Sequence, residues 1–385
     1  MSDIRHIAVL TGKRGGFGAM KPMLRAMDQD PDIRLSLLVT DQHVNPKFGS
    51  TITEIEREFK VAAAVDMEQV DGSPRGRSKA LGVCLTKMAD VLAELAPDIL
   101  VLYGDRGEVL AAAVAAITLR IPIAHLQGGD VSGNVDEVMR HAVTKLSHMH
   151  FPSTESSKRR ILAMGEEPWR VHVVGDNHID LIVAGEYTKE AELRKKLNIP
   201  EGEAPIVVLL HSETTHTRDG FVDMSQLLKI VLAEKRRTFV IYPCSDHGYE
   251  DIVRAIHTFD GTPGLSIHKN IDAPDFWGLL AISAVMIGNS SAGLIETPSF
   301  RIPAINVGER QQGREHGNNV IHCGYTCGEL QQALAKALRD DDFRKVVLNC
   351  SQPFGDGTAW RQIVDQLKAA ELNHNLLNKR LAYPF

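Results

Sequence analysis

Cysteine is scarce in this chain. Its five cysteines among 385 residues, an odd and scattered set, exclude a disulfide framework and point to a reducing compartment, the cytoplasm. Cys323 and Cys327 are the one close pair. Without a second pair at zinc spacing, no metal site is expected. Excess positive charge is also missing, since 43 Lys and Arg stand against 49 Asp and Glu for a net charge of −6. That balance argues against a nucleic-acid partner or an anionic membrane surface, although a local arginine cluster still suits a nucleotide. No apolar run is long enough to span a bilayer. No leader pattern precedes the first strand either, because Met1-Ser-Asp-Ile-Arg-His runs directly into Ile7-Ala-Val-Leu10. Internal repeats, low-complexity tracts and heptads are absent.

What is present is an ordinary soluble composition, 43% hydrophobic and 24% charged, in a chain long enough for two domains. Short apolar strands alternate with amphipathic helices throughout. Strands are expected at His6–Leu10, Arg34–Val39, Ile99–Leu102, Ile123–Leu126, His148–Phe151 and Val171–Val174. Five more follow at Ile206–Leu210, Thr238–Tyr242, Leu265–His268, Ala284–Ile287 and Pro303–Val307. This alternation predicts an α/β fold of parallel sheets covered on both faces, and two Rossmann-like sheets suit it better than one of eleven strands. The polar stretch after Gly185 is the natural break. The expected domains are 1–185 and 186–358. A C-terminal helix and tail, 359–385, is left to dock on either domain, the first included.

The segment Val285–Arg314 carries the strongest signal. A buried strand ends in Gly288-Asn-Ser-Ser-Ala-Gly293, and a helix is expected from Leu294 onward. Backbone N–H groups, the Ser290 and Ser291 hydroxyls and a helix dipole would converge there on an anion. Glu296 is placed to accept hydrogen bonds from ribose hydroxyls. Arg310 and Arg314 follow a second strand and suit phosphate. Ligands of open parallel sheets bind beyond the carboxyl ends of the strands, and those positions are unusually polar here. They include Gly12-Lys-Arg14, His43, Gly104-Asp105-Arg106, Gln127-Gly-Gly-Asp130, His211-Ser-Glu213 and Ser245-Asp-His-Gly248. An interdomain cleft lined by charged groups is expected. Asp105, Asp130 and Asp136 would supply its carboxylates, with Arg140 one helical turn beyond Asp136.

With these motifs in order along nearly the whole length, the chain resembles the hydrolysing UDP-N-acetylglucosamine 2-epimerases of the sialic and nonulosonic acid branch. The resemblance rests on Thr11-Gly-Lys-Arg14 with Gly18, Gly104-Asp-Arg106 and His125-Leu-Gln-Gly-Gly-Asp130. It also rests on Asp136-Glu-Val-Met-Arg140-His-Ala-Val-Thr-Lys145, Val174-Gly175, His211 and the Gly288–Arg314 segment. It implies a GT-B arrangement of two Rossmann-like domains, a homodimer or dimer of dimers, and a UDP-sugar as the small-molecule partner. No nicotinamide, metal or other cofactor is implied. The implied reaction removes the C2 proton of UDP-GlcNAc, expels UDP to leave 2-acetamidoglucal, and hydrates that to N-acetylmannosamine. By the resemblance, Arg14, His211, Ser290, Ser291, Glu296 and Arg310 surround UDP, with Arg106 near the diphosphate and His43 and Arg314 lining the same site. Asp105 and Asp136 transfer protons, and His211 joins them as a catalytic candidate.

Three positions depart from the family pattern. Some members carry Glu where this chain has Gln127, and an amide cannot shuttle protons. Either Asp130 supplies the carboxylate or position 127 serves substrate binding. The loop Arg14-Gly-Gly-Phe-Gly18 lacks an acid, and Cys244 stands where Asn is common. These departures point to a variant substrate, UDP-2,4-diacetamido-2,4,6-trideoxyglucose, as one alternative. A non-hydrolysing epimerase and a non-catalytic nucleotide-sugar binder are the others.

Overall fold

Every strand pairing is parallel, and the strands form two sheets of six. The computed structural model describes residues 4–46, 51–71, 73–131, 135–213, 219–244 and 248–383, with the Val135 and Asp136 side chains outside that description. The first sheet contains β1 (Arg5–Thr11), β2 (Ile33–Thr40), β3 (Val61–Val65), β4 (Ile99–Tyr103), β5 (Ile123–Leu126) and β6 (Met149–Phe151). Its order is β3-β2-β1-β4-β5-β6. The second contains β7 (Ile206–Leu209), β8 (Thr238–Ile241), β9 (Leu265–His268), β10 (Val285–Gly288), β11 (Ala304–Val307) and β12 (Val320–Cys323). Its order, β12-β11-β10-β7-β8-β9, is the same topology read from the other edge. Each sheet is therefore a doubly wound Rossmann-like sheet, with switch points at β1/β4 and at β7/β10.

The central strands are apolar on both faces because helices cover both. In the first sheet Ile7, Val9 and Val101 belong to one fully buried cluster, and Ala8, Leu10, Leu100 and Leu102 to another. In the second, Ile206, Val208 and Ile287 face one cluster while Val207 and Met286 face the other. At roughly 25 cal/mol per Å² of apolar area, such double burial is the main force holding each sheet together. Among the described residues no helix is long and apolar enough to cross a membrane.

Three expected features differ. β3 and β12 were not among the expected strands: β3, Val-Ala-Ala-Ala-Val, is apolar but alanine-rich and partly exposed along Val61–Ala64, and β12 is broken by His322, with no residue fully buried. Both are edge strands, covered less than the centre, so the local pattern understates them. Val171–Val174, expected as a strand, forms only an isolated bridge between Val171 and His150. Third, the helix expected from Leu294 is two four-residue turns, Ala292–Ile295 and Thr297–Phe300. Pro298 explains the break, since it lacks the N–H that would bond one turn back.

The chain divides into two compact units. One comprises Met1–Val131, Val135–Leu181 and Phe354–Phe385, and the other is mainly Ile182–Pro353. Re-entry into the first unit begins at Phe354, whose carbonyl accepts the Asp176 N–H at 2.7 Å. The helix Ala359–Ala369 then buries Ile363 and Leu367 against Ile7, Met20 and Met23. Asp180 caps that helix by accepting the Ala359 and Trp360 N–H groups at 2.9 and 2.8 Å.

Candidate active site

The β1/β4 switch point of the first unit places Asp105, and through Arg140 the loop that carries Asp130. Gly104, in the left-handed region at φ +81°, turns the chain out of β4 and presents Asp105. The Asp105 carboxylate pairs with the guanidinium of Arg140, which is almost fully buried. The same guanidinium donates to the Asp130 carbonyl at 2.9 Å. One arginine thus ties the end of β4 to the loop after β5. Arg140 lies on the helix Val135–Leu146, of which Asp136 occupies the first turn. The Asp136 side chain lies outside the described residues, as do residues 245–247 and the Phe48-Gly49 pair.

Gln127 follows β5 at φ +60°, a conformation costing a non-glycine residue roughly 1–2 kcal/mol. Its amide donates to the Asp176 carboxylate at 2.7 Å. Tyr103, at the end of β4, has a buried hydroxyl without a hydrogen-bond partner. Burial first, then the Asp176 and Asp105 charges, push that phenol well above its ordinary pKa. Its ring lies on the bare face of Gly16, where an added Cβ would meet it at 3.3 Å.

Other expected residues take different places. His43 is fully buried, with Thr11 and Thr51 hydroxyls on its two ring nitrogens at 3.1 and 2.7 Å. It supports the loop after β1 instead of presenting to a ligand, because both nitrogens are engaged and desolvation holds its pKa down at about 4. His125 is likewise buried, bonded to the Gly104 carbonyl at 2.8 Å and the Thr144 hydroxyl at 3.2 Å. Arg14 starts the helix Arg14–Gln29 and makes a two-point contact with Glu54, at 3.2 and 2.6 Å. Arg106 faces two acids, Asp41 and Glu108, whose pKa values it lowers against burial. Burial and the Asp41 charge still raise Glu108 to about 7.

In the second unit, Asn289 fastens the β7/β10 switch point. Gly288 must be glycine: at φ +148° any Cβ would overlap the Leu209 carbonyl. That close approach puts the fully buried Asn289 beside His211, where its side chain accepts the His211 N–H at 2.7 Å and donates to the His211 carbonyl at 2.9 Å. The Asn289 carbonyl accepts from Arg310 at 3.2 Å and Gln311 at 2.9 Å, and Gln311 in turn accepts from Arg314 at 3.0 Å. The Cys244 N–H donates to Nδ1 of His211 at 3.1 Å, so the neutral ring carries its proton on Nε2. Ser290 is nearly buried, and Ser291 begins the short turn at Ala292. A four-residue turn has little macrodipole, so the helix dipole expected at this strand end is not formed. Glu296 accepts the Trp277 indole N–H at 2.8 Å with one carboxylate oxygen.

Asn289, Asp176 and Tyr103 are the supporting residues that sequence reasoning left out of the site, and Arg140 and Glu213 were named there without these roles. Glu213 holds the loop after β11, accepting from the Glu309 and Arg310 N–H groups at 3.1 and 3.3 Å and from the Tyr325 hydroxyl at 2.9 Å. Arg140 and Asn289 stood inside the quoted motifs. Asp176 had no local signal.

Comparison with known proteins places the chain in a family. The family model described as UDP-N-acetylglucosamine 2-epimerase matches residues 25–368. A Legionella pneumophila protein named UDP-N,N'-diacetylbacillosamine 2-epimerase (hydrolyzing) is 34% identical, over 99% of this chain and 100% of its own. A Neisseria meningitidis UDP-N-acetylglucosamine 2-epimerase is 31% identical, over 87% and 88%. The solved structure of the Neisseria meningitidis UDP-GlcNAc 2-epimerase bound to UDP-GlcNAc shares the fold, with a TM-score of 0.81 at 18% identity over 94% of this chain and 99% of that one. The chain belongs to the UDP-N-acetylglucosamine 2-epimerase family.

Proposed function

We propose that this protein is a hydrolysing 2-epimerase of a UDP-activated 2-acetamido sugar. The observation that carries the reading is the Asp105 carboxylate held against buried Arg140 at a Rossmann switch point. Nucleotide binding alone gives no reason for such a group. In the reaction, Asp105 takes the C2 proton, the C2–H electron pair becomes the C1=C2 double bond, and the C1–O pair leaves with UDP. Arg310, Ser290, Ser291 and the Nε2–H of His211 stabilise the departing diphosphate, and Glu296 holds the ribose. Asp136 and Asp130 are the further carboxylates of the proposed site, and Arg14, Arg106 and Arg314 its further cations. Water then adds across the double bond with inversion at C2.

The sugar is UDP-GlcNAc or UDP-2,4-diacetamido-2,4,6-trideoxyglucose, which is UDP-N,N'-diacetylbacillosamine. The second is favoured by the Legionella relative, which matches along both whole chains and carries that substrate and "hydrolyzing" in its name. Incubating the protein with each sugar in D2O, followed by proton NMR, tests the reading. Free UDP with a C2-deuterated, epimerised free sugar is expected. A deuterated epimer still attached to UDP would indicate the non-hydrolysing reaction, and inert samples would leave a nucleotide-sugar binder.

A prediction concerns the second unit alone. Arg310→Ala should raise the Kd for UDP about 10- to 100-fold in calorimetry, because a charge-assisted hydrogen bond contributes about 1.5–3 kcal/mol. An unchanged Kd would remove Arg310 from the diphosphate site.

A further inference from the structure

Hydration with inversion needs a second proton-transferring group besides Asp105, and Gln127 cannot be that group. Its neighbour can. The Gln127 amide donates to one oxygen of Asp176 at 2.7 Å, and the other oxygen accepts the backbone N–H and the Nδ1–H of His178, both at 2.9 Å. Only 4% of the Asp176 side chain is exposed. Its backbone is held from both sides: its own N–H donates to Phe354, and Gly175 packs so closely that a Cβ there would sit 2.8 Å from the Phe354 carbonyl. Such a carboxylate is oriented before any ligand arrives. Asp176 shares the surroundings of the buried Tyr103 hydroxyl with Asp105, Gln127 and Arg140. The bare Gly16 gives the Tyr103 ring its place in this group.

We propose that Asp176 is the second proton-transferring carboxylate of this site, and that positions 127 and 176 form one acid–amide pair whose order can be exchanged. The inference rests on the epimerase reading above. After UDP has left, a water oxygen bonds to C1 and one of its protons passes to Asp176. Asp176 delivers a proton to C2, on the face opposite Asp105, and the C1=C2 π electrons form the new C2–H bond. Water is consumed, Asp176 returns to the carboxylate, the proton that Asp105 took from C2 is released to solvent, and no other reactant is needed.

The test is an exchange of side chains, read as kcat and KM for UDP release and as C2 deuteration. Asp176→Asn should lower kcat about 100-fold or more, with KM changed by less than about threefold. The double variant Gln127→Glu/Asp176→Asn, which returns a carboxylate across the same hydrogen bond, should recover at least about tenfold. Gln127→Ala should keep more than about a tenth of wild-type turnover, and Asp130→Asn should lose less than Asp176→Asn. Because both positions lie in the first unit, the urea unfolding midpoint of each variant serves as the check of folding, with UDP affinity as the check of the second unit. Near-normal turnover by Asp176→Asn overturns the proposal, as does a double variant no better than Asp176→Asn while both bind UDP normally. If Asp176→Asn does not fold, Gln127→Ala decides, because near-complete loss there would place the role in the amide. A larger loss in Asp130→Asn returns the role to Asp130. An inert wild type overturns the epimerase reading and this inference together, whereas an active Asp176→Asn in an active background overturns this inference alone.

Discussion

Asp105→Asn is expected to lower kcat about a thousandfold, within the 10²–10⁴ range of a lost general base, while KM changes little. The amide keeps an oxygen to accept from Arg140 but cannot take a proton from C2. C2 deuterium incorporation and UDP release should fall together, because breaking C2–H and breaking C1–O belong to one elimination. The variant should also unfold more readily. Arg140 is nearly buried, and a buried charge whose partner has been neutralised destabilises by up to about 3–5 kcal/mol. Measuring exchange and the urea midpoint on the same preparation separates the two effects. If Asp105→Asn exchanges C2 protons at the wild-type rate, Asp105 is an ion-pair partner and not the base.

The second large effect is acid unfolding of the first unit. His43, His125, His148 and His150 are all at most 1% exposed, and burial is the leading cause that lowers each pKa, to about 4, 3, 4 and 4. Hydrogen bonding shows why the rings stay neutral: Nδ1 of His148 accepts the Ile123 N–H at 3.0 Å and cannot do so once protonated. Between the ordinary histidine value and about 4, the unfolded chain binds protons that the folded chain does not. Stability is therefore full above about pH 6.5 and is lost as pH falls toward 4, by about 1.4 kcal/mol per pH unit for each histidine. Four such groups would remove up to about 5 kcal/mol between pH 6 and 5, comparable to a whole domain's margin. Glu166 adds a later loss. Burial pushes its carboxyl up, but hydrogen bonds from His150, Lys145 and Lys379 outweigh that and hold it at about 2. Its contribution disappears between about pH 4.5 and 2. Hydrogen exchange of β5 and β6 peptides at pH 7, 6 and 5 should show protection falling steeply. His148→Gln should make the slope shallower, and equal protection at pH 7 and 5 would rule the account out.

Much of the architecture was legible because it is written in local patterns. Strands buried on both faces must be continuously apolar, so nearly every central strand stood out, and its polar terminus named the loops at the two switch points. The edge strands β3 and β12 did not stand out, because β3 is mostly alanine, which suits a helix as well, and β12 is interrupted by His322. Val171–Val174 shows the converse: an apolar run becomes a strand only if a partner ladder is available, and here a single bridge formed.

The strand and turn that open the Gly288–Arg314 segment were readable from residue types alone, since an apolar run ending in glycine and hydroxyls marks a strand end. The segment's helix was not, because Pro298 divides it into two short turns. The histidines were ambiguous for a related reason. A sequence places His43 and His125 beside functional loops but does not say whether their nitrogens face a ligand or a threonine.

The sequence by itself determined the two parallel sheets, the polar strand ends and the family. Tertiary structure alone decided which of those polar residues meet one another. Asp105 and Arg140 meet across two elements, Asn289 clamps His211 from another strand, and Asp176 reaches Gln127 from the far side of β6. Such pairings join residues distant in sequence and depend on where folded elements stop, a quantity that no local spacing encodes.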